Sequence, residues 1–487
     1  MSLGVKLSDV LSFTRGQWVG ASTNDLVFTG VSVDSRSIQP GELFVAIQGP
    51  RFDGNDFIDA ALKAGALGVI TDRETLKDRP AIVVKNGTRA LGDLARQVRR
   101  QKGLTVLAIT GSMGKTTVKE MARNILIAKN RPLDPLRSAP VRDILATQGN
   151  LNNEIGLPLT ILSSLKMELS PLEAVLEMGA SKPGDIQYLA EIARPDVGLV
   201  TAIGEAHLEF FKDLKTVAHT KAELFQSLGG AGVAVANQAE PLIMERCRNL
   251  VVKTLFYGSG GQIWLKKVEP IRLSERQNDL SSEILNIFGQ KLTFGGTLVE
   301  DMEVEIASPG EHNAFNALAA TAAAVAMGCG PREIKEGLAN TIPLAGRLKP
   351  RRAAKGFWAL DDSYNANPTS TRAALNLLAS LSLPGPKGAI LGDMLELGPD
   401  SGLYHQQIGR LARNAKLDFL ALVGAQARAV LSGVRELNLD RPRVAVFDNP
   451  AAAADWVKER INDAGVVLVK GSRAIGLERA VAKLLEK

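Results

Sequence analysis

The sequence predicts an α/β protein of three domains. Its 487 residues suffice for roughly three domains at about 100–200 residues each. Short apolar runs alternate with helical patterns along most of the chain, as in sheets with helices on both faces. The character of the sequence changes near residues 101 and 344. We therefore expect a small α/β domain at 1–100, a doubly wound, mostly parallel sheet at 101–343 and a Rossmann-like αβα domain at 344–487.

Composition narrows the class of protein. Lys and Arg number 58 against 52 for Asp and Glu, which gives a net charge of +6, and apolar residues make up 45% of the chain. These values are ordinary for a globular protein and exclude a disordered or collagen-like chain. The mild positive charge suits an anionic small-molecule substrate, but it is too weak to indicate nucleic acid.

The sequence shows no sign of secretion or membrane insertion. The first ten residues lack the charged head and apolar core of a secretory signal. The longest low-polarity run, Ala317 to Gly328, is shorter than the roughly 20 residues that a membrane span needs. Cys247 and Cys329 are too far apart in sequence to indicate a disulfide framework. We expect a cytoplasmic protein.

The first domain combines turn signals with short strand-like and helix-like segments. Leu43 to Ile47 and Gly68 to Thr71 are strand-like, and Asp56 to Ala66 between them is helix-like. The basic stretch Arg96 to Lys102 closes the domain. We interpret it as a solvated helix end rather than a nucleic-acid patch.

Continuous apolar runs mark the strands of the two larger domains. Leu104 to Thr110 is one such run, and others begin at Ala174, Asp196 and Gly232, as expected of strands buried on both faces of a parallel sheet. The stretch 259–306 alternates in polarity and predicts an antiparallel edge on the central domain. After residue 344, five strand-like runs each end in a polar turn. Ligands bind at such strand ends.

A phosphate-binding loop is the strongest single signal. A buried strand leads into a glycine turn and then a helix, so that backbone N–H groups, the helix N-terminus and a lysine meet a phosphate. The first glycine of the full pattern is missing, because Ile109 stands there. The pattern predicts ATP binding by Gly111, Ser112, Met113, Gly114, Lys115, Thr116 and Thr117.

An ATP site needs Mg²⁺, which prefers oxygen ligands. Glu177 and His207 each follow a buried strand, and the Thr116 hydroxyl is a further candidate ligand. Lys221 is the last candidate. An ammonium group would repel a metal ion, whereas the carbamate that a neutral amine forms with CO₂ carries anionic oxygens. A solvated acid, a structural histidine and a surface lysine are the alternatives.

Further polar residues lie at the start of an Ala-rich helix and in the third domain. His312 and Asn313 suit a base or ribose, although asparagine also caps helices. Arg347 suits a phosphoryl group, and Lys470 and Arg473 suit a carboxylate, unless they are solvated loop cations. The polar cluster after the strand at Ala359 predicts functional use of Asp362, Tyr364 and Asn365.

Together these motifs resemble the Mur ligases, the ATP-dependent amino-acid ligases of peptidoglycan precursor synthesis. The resemblance rests on TGSMGKTT, LEMGA, GEAHLEFF and TKAELF and covers essentially the whole chain. It implies that Lys221 is carbamylated and that Glu177 and His207 bind Mg²⁺. It also implies that His312, Asn313 and Arg347 contact adenine and phosphate, and that Asp362 contacts the ribose.

Other motifs imply the substrates. QGNLNNEIGLPLT, DDSYNANP and LGDMLELG are similar to the branch of the family that adds D-alanyl-D-alanine to UDP-N-acetylmuramoyl-tripeptide. The N-terminal DSRSIQPGELFVAIQGPRFDGNDF is similar to its UDP-sugar domain, except that Asn55 replaces a histidine. The resemblance implies an acyl-phosphate intermediate, a monomer, and substrate contacts from Ser35, Arg36, Asn150, Asn153, Tyr364, Asn365, Lys470 and Arg473.

Three alternatives stay open. The chain could be a Mur ligase that adds diaminopimelate or lysine, or an enzyme similar to folylpolyglutamate synthetase. It could be a P-loop switch or motor ATPase, although neither a guanine-reading motif nor a well-placed Walker B acid is found. It could also be a binding protein without activity, against which Glu177, His207 and Lys221 argue.

Overall fold

The structure is a computed structural model that describes residues 4–21, 26–74, 79–131, 143–167, 172–206, 208–271, 288–436 and 442–486. Three mostly parallel α/β units follow one another along the chain, which confirms the predicted fold class. Within these ranges no helix has the length and apolar character needed to cross a membrane.

The N-terminal unit is a five-stranded sheet in the order β2-β7-β6-β5-β4, with β1 and β3 paired separately. Asn86 caps its last helix by accepting the N–H of Arg89 at 2.8 Å, and Gly103 ends that helix with a φ of 62°. The elements are β1 (Val5–Lys6), α1 (Leu7–Thr14), β2 (Gln17–Trp18), β3 (Val27–Phe28), β4 (Val31–Ser32), β5 (Leu43–Val45), a 3₁₀ turn (Gly54–Phe57), α2 (Ile58–Lys63), β6 (Gly68–Thr71), β7 (Ala81–Val83) and α3 (Gly87–Lys102).

The central unit is a six-stranded parallel sheet in the order β13-β12-β11-β8-β10-β9. Its elements are β8 (Thr105–Thr110), α4 (Lys115–Lys129), β9 (Leu145–Ala146), α5 (Gly156–Ser163), a 3₁₀ turn (Ser164–Lys166), β10 (Glu173–Glu177), α6 (Asp185–Ala193), β11 (Val197–Val200), α7 (Leu208–Phe211), α8 (Leu214–Gln226), β12 (Val233–Asn237), α9 (Pro241–Cys247), β13 (Lys253–Tyr257), β14 (Trp264–Pro270), β15 (Gln290–Gly295), β16 (Glu303–Ile306), α10 (Glu311–Ala326) and α11 (Pro331–Ala339).

The alternating stretch predicted at 259–306 is antiparallel, but its strands do not extend the central sheet. Strands β14, β15 and β16 form a three-stranded sheet of their own. Leu292 and Ile306 from this sheet share a hydrophobic cluster with Leu107 of the central sheet. Because one face of β15 and of β16 is buried against the central domain, these strands alternate in polarity as an edge strand would.

Strand β8 is buried on both faces, as its continuous apolar run predicts. Val106 and Ala108 join one hydrophobic cluster, and Leu107 and Ile109 join another on the opposite side. The first cluster also contains Leu43 and other residues of the N-terminal sheet. The first two units therefore share one core, so we expect them to move together.

The C-terminal unit is a six-stranded sheet in the order β17-β18-β22-β19-β20-β21, parallel except for β17. Asn367 caps its first helix, and Pro368 occupies the first turn. The elements are β17 (Lys349–Arg352), β18 (Trp358–Asp362), α12 (Pro368–Ser380), β19 (Lys387–Gly392), a 3₁₀ turn (Gly398–Asp400), α13 (Ser401–Asn414), β20 (Phe419–Val423), α14 (Ala427–Arg435), β21 (Arg443–Phe447), α15 (Pro450–Lys458), β22 (Val466–Lys470), a 3₁₀ turn (Arg473–Ile475) and α16 (Glu478–Leu485).

Candidate active site

A cavity of about 1090 Å³ lies where the three units meet. Asn86 and Arg89 line it from the N-terminal unit, the phosphate loop lines it from the central unit, and Tyr364 and Lys470 line it from the C-terminal unit. The cavity adjoins the carboxyl ends of β8, β10, β18 and β22, where open α/β sheets bind their ligands. Its volume reaches the upper end of the range for small-molecule sites, so it has room for more than a nucleotide.

The phosphate loop joins β8 to α4 and needs glycine at two points. Gly111 has a φ of 148°, and a Cβ there would lie 2.0 Å from Thr201 Oγ1. Gly114 has a φ of 80°, and a Cβ there would lie 2.3 Å from Asn316 Oδ1. Any side chain at either position would therefore collide with a neighbouring element as well as strain the backbone.

The two residues that follow the neighbouring strand β11 hold the loop in place. The Ser112 N–H donates to the Ala202 carbonyl at 2.7 Å, and the Thr201 hydroxyl donates to the Met113 carbonyl at 2.6 Å. The Ser112 hydroxyl is buried and has no hydrogen-bond partner among the described residues. An unpaired buried hydroxyl is costly, and a phosphate oxygen would satisfy it. The loop therefore fits the triphosphate predicted for it.

Lys115 opens α4 and faces the same loop. Its Nζ donates to the Gly111 carbonyl at 2.8 Å. Burial lowers the pKa of Lys115, while the negative charge of Glu177 opposes that shift. The ammonium group is thus held close to the backbone that cradles the phosphates, as the sequence motif predicts.

Glu177, the last residue of β10, lies beside the loop because β10 pairs with β8 and Glu177 is opposite Ile109. The side chain is buried, with 2% exposed. Its Oε2 accepts the Thr116 hydroxyl at 2.7 Å, and its Oε1 accepts the Asn152 amide at 2.8 Å. Two donors thus fix the carboxylate while each oxygen keeps a lone pair for another partner.

These groups fit Mg²⁺ bound together with a triphosphate. Glu177 and Thr116 offer oxygen ligands beside Lys115 and the loop, and Mg²⁺ commonly takes one or two protein oxygens plus phosphates and waters. The described residues contain no cluster of three His, Cys, Asp or Glu side chains that would form an all-protein metal site. The predicted ligand His207 lies outside the described residues.

Lys221 lies on α8, where it lines the cavity and is 3% exposed. Burial lowers its pKa to about 7, and the positive charge of Lys115 adds to that shift. Its Nζ is 5.7 Å from the centre of the Phe211 ring, and within the described ranges it has no hydrogen bond or ion pair. Lys221 is therefore a buried amine near the predicted metal site rather than a surface lysine.

His312 and Asn313, predicted to contact the base, line the cavity from the start of α10. Burial lowers the pKa of His312 to about 4, with help from the positive charge of Lys470. The Asn313 amide donates to the Pro309 carbonyl at 2.8 Å, and its oxygen accepts Asn316 Nδ2 at 3.1 Å. Asn313 therefore stabilises the helix start, and its contact with a base stays a prediction.

Two neighbouring strand ends bring Asp362 and Lys470 together. They are register partners on β18 and β22, and Lys470 Nζ is 2.7 Å from Asp362 Oδ2 and 3.0 Å from the Asn365 carbonyl. Burial raises the pKa of Asp362, although Lys470 opposes the shift. Because Asp362 already balances the charge of Lys470, we expect Lys470 to orient Asp362 rather than to bind a substrate carboxylate by itself.

Arg347 and Arg473 converge on Tyr364 although they come from opposite ends of the third domain. The guanidinium carbons lie 4.3 Å and 5.4 Å from the centre of the Tyr364 ring. Gly346 packs tightly against Tyr364, donates its N–H to Asp361 and accepts the N–H of Tyr364. Arg347 and Tyr364 line the cavity, whereas Arg473 does not.

Of the remaining predicted substrate residues, two line the cavity and two do not. Asn150 and Asn153 line the cavity, but the side-chain oxygen of Asn153 also accepts the N–H of Gly156, the first residue of α5, at 2.9 Å. Ser35 and Arg36 do not line the cavity, and Arg36 forms a two-point ion pair with Asp34. Their substrate contacts stay predictions.

Comparison with known proteins decides the family. Three family models match the chain: the Mur ligase family catalytic domain over residues 27–99, the Mur ligase middle domain over 109–324 and the Mur ligase glutamate ligase domain over 346–473. The UDP-N-acetylmuramoyl-tripeptide--D-alanyl-D-alanine ligase of Escherichia coli is 35% identical over 491 residues, which cover 99% of each chain. This chain belongs to the Mur ligase family.

Two solved structures match the fold of this chain over all or nearly all of its length. MurF from Acinetobacter baumannii has a TM-score of 0.84 at 29% identity and covers 100% of each chain. A MurF ligase from Thermotoga maritima in complex with ADP has a TM-score of 0.77 at 30% identity and covers 93% of this chain and 96% of its own. The three matched segments fall inside the predicted domains, whose exact boundaries stay predictions.

Sequence reasoning missed Asn152 and Asn55 as structural anchors in this Mur ligase. Asn152, between the predicted Asn150 and Asn153, is the residue that holds Glu177. Asn55 is buried, accepts the Thr71 hydroxyl at 2.6 Å and donates to Asp53 and Asp72. Nothing in the sequence distinguishes Asn152 from its neighbours, because only the turn geometry decides which amide faces Glu177.

His312→Asn is expected to flatten the dependence of stability on pH. The folded pKa of His312 is about 4 against 6.5 for an ordinary histidine, so between pH 6.5 and 4 the unfolded chain binds more protons. Stability then falls as the pH falls. When the pH falls from 7 to 5, we expect the free energy of unfolding to fall by about 1 kcal/mol less in the variant than in the wild type. The difference is kept to this size because His312 is partly exposed to solvent. Denaturant unfolding at both pH values checks this, with the exposed His219→Asn on α8 as control. Equal losses in wild type and H312N would contradict it.

Proposed function

We propose that this Mur ligase joins D-alanyl-D-alanine to UDP-N-acetylmuramoyl-tripeptide, with conversion of ATP to ADP and phosphate. The observation that carries the proposal is the single cavity lined by the phosphate loop and by residues of the first and third units. A reaction between three substrates needs such a meeting point. Two relatives named UDP-N-acetylmuramoyl-tripeptide--D-alanyl-D-alanine ligase match 99% of the chain at 35% and 30% identity, which supports the choice of substrates.

The first step activates a carboxylate. The terminal carboxylate of the tripeptide attacks the γ-phosphorus of ATP, the bond to the β-phosphate oxygen breaks, and an acyl phosphate and ADP form. Lys115 and the loop N–H groups position the phosphates and balance the charge that moves between oxygens. Mg²⁺, when held by Thr116, Glu177 and His207, supplies further charge neutralisation.

The second step forms the amide. The neutral amine of D-alanyl-D-alanine attacks the acyl carbon and forms a tetrahedral intermediate. The bond to the phosphate oxygen then breaks, phosphate leaves, and the attacking nitrogen loses its proton. Water would compete for the acyl phosphate. We therefore expect the C-terminal unit, which carries Tyr364 and Asn365, to close over the site during the reaction.

The remaining predicted residues take roles on this cavity. We propose that His312, Asn313, Arg347 and Asp362 hold the nucleotide. We also propose that Lys221 is carbamylated and would then offer anionic oxygens to the metal. Ser35, Arg36, Asn150 and Asn153 would hold the UDP-tripeptide, and Arg473 would contact the dipeptide side. Because ATP and UDP-linked precursors are made inside the cell, we propose that the enzyme works in the cytoplasm, as a monomer.

Two measurements test the function. Mass spectrometry of a reaction with UDP-muramoyl-tripeptide, D-alanyl-D-alanine and ATP should show the UDP-pentapeptide. Phosphate release should require both the UDP-tripeptide and the dipeptide. Replacement of the dipeptide by diaminopimelate, lysine or glutamate should abolish this release. Release that depends on diaminopimelate or lysine would indicate another Mur ligase. Release that depends on glutamate and a folate would indicate a folylpolyglutamate synthetase, and release without any acceptor would indicate an ATPase.

A further inference from the structure

Lys119 is a buried lysine that the reaction does not use. It lies one turn after Lys115 on α4, and only 1% of the residue is exposed. Its Nζ is 2.8 Å from Glu120 Oε1 and donates to the main-chain carbonyl of Thr147. A buried cation is costly unless it is paired and hydrogen-bonded, and Glu120 and the Thr147 carbonyl supply both partners here.

Thr147 follows the shortest strand of the central sheet. Strand β9 has two residues and lies at the edge of the sheet. Past its end, Thr147 is 1% exposed, and its N–H donates to the Val175 carbonyl at 3.2 Å. Its hydroxyl accepts the N–H of Glu177 at 2.9 Å. An edge strand this short cannot fix its own end, and Lys119 ties that end to the phosphate-loop helix.

The segment after Thr147 reaches Glu177 a second time. The chain turns through Gln148, where the Leu151 N–H donates to the Gln148 carbonyl at 3.1 Å. Asn152 then donates from its side chain to Glu177 Oε1 at 2.8 Å and accepts the Gly179 N–H on its carbonyl at 2.8 Å. One segment therefore holds both the main chain and the carboxylate of Glu177.

We propose that Lys119 is a positioning residue for the metal site, which acts by fixing the 147–152 segment and through it the Glu177 carboxylate. The proposal rests on the nucleotide site of the proposed function, but not on the identity of the acceptor or the amine. Groups that orient a metal ligand typically contribute about 10–100-fold to metal affinity or activity. Lys119 does not line the cavity.

The test is a calorimetric titration of Mg²⁺ into the full-length protein saturated with ADP. For Lys119→Met we expect the Kd for Mg²⁺ to rise about 10-fold, while ADP affinity without metal changes less than about twofold. Lys129→Met is the matched control. Lys129 lies on the same helix and also donates to a carboxylate, of Glu173, and to a carbonyl, of Met327, but at the end of α4 far from the loop. Its loss should leave the Kd for Mg²⁺ unchanged.

A second pair of variants keeps the test decisive if Lys119→Met does not fold. Thr147→Val removes the hydroxyl that accepts the Glu177 N–H and should weaken Mg²⁺ binding, whereas Thr147→Ser should restore it. Wild-type Mg²⁺ binding in a folded K119M would overturn the proposal, as would wild-type binding in T147V if K119M does not fold, or equal weakening in K129M. Because the titration needs neither peptide substrate, it can succeed or fail independently of the ligase assay.

Discussion

Lys115→Met is expected to slow phosphate release by about 100- to 1000-fold when the UDP-tripeptide and D-alanyl-D-alanine are both present. Its Nζ donates to the loop carbonyl of Gly111 within the phosphate cradle, and methionine keeps the volume of the side chain but removes the charge. The charge matters when the γ-phosphoryl group moves from ATP to the acceptor carboxylate, because negative charge then builds up on the β-phosphate oxygen that leaves with ADP. The rate of acyl-phosphate formation, measured as ADP production in a single turnover, checks this directly.

Lys129→Met is the control for this prediction, because it removes a lysine from the same helix without touching the loop. It should keep near-wild-type ADP production. A Lys115→Met variant that retains more than about a tenth of the wild-type rate would mean that the loop backbone alone supports the transfer. The assignment of Lys115 to the reacting phosphates would then be wrong.

Lys221→Met is expected to remove at least about 99% of ligase activity, since metal charge stabilisation is worth several kcal/mol. The pKa of Lys221 is about 7, so near neutral pH a large share of this amine is neutral. The neutral amine attacks CO₂, a new N–C bond forms, one proton leaves, and the carbamate carries a negative charge. Activity should therefore fall when bicarbonate is removed, and it should fall further below pH 7 as the amine takes up a proton.

A ¹³C carbamate resonance in the wild-type protein supplied with ¹³C-bicarbonate, absent from Lys221→Met, measures the modification itself. Lys215→Met is the matched control, because Lys215 is exposed on the same helix. It should keep both the activity and the resonance. A fully active Lys221→Met variant would exclude the carbamate, whatever the burial of the lysine.

The strands were predictable because their signal is local. A strand covered on both faces is apolar along its middle, and the residues between the polar ends of β8 and β10 show this in the sequence. The position of Glu177 beside the loop also follows, since parallel strands that neighbour each other end at the same edge. The position of the antiparallel sheet of β14–β16 was harder to predict. Alternating polarity shows that one face of a strand is buried, but it does not show which part of the protein covers that face.

The partners of individual side chains were not predictable in the same way. Lys470 and Asp362 are 108 positions apart, yet adjacent strands make them an ion pair. Asn152 rather than Asn150 or Asn153 holds Glu177, and Lys119 reaches Thr147 across the end of a two-residue strand. Each of these contacts depends on distances of about 3 Å between elements that are remote in sequence.

The amino-acid sequence by itself determined the α/β class, the nucleotide loop and the family, because periodicity and the glycine–lysine motif are properties of neighbouring residues. Only the tertiary structure decided that the first and third units line the same cavity as the loop, that Lys221 is a buried amine, and that Lys470 is matched by Asp362. Burial and pairing are set by whichever surfaces meet when the sheets pack, and the order of residues along the chain does not contain those distances.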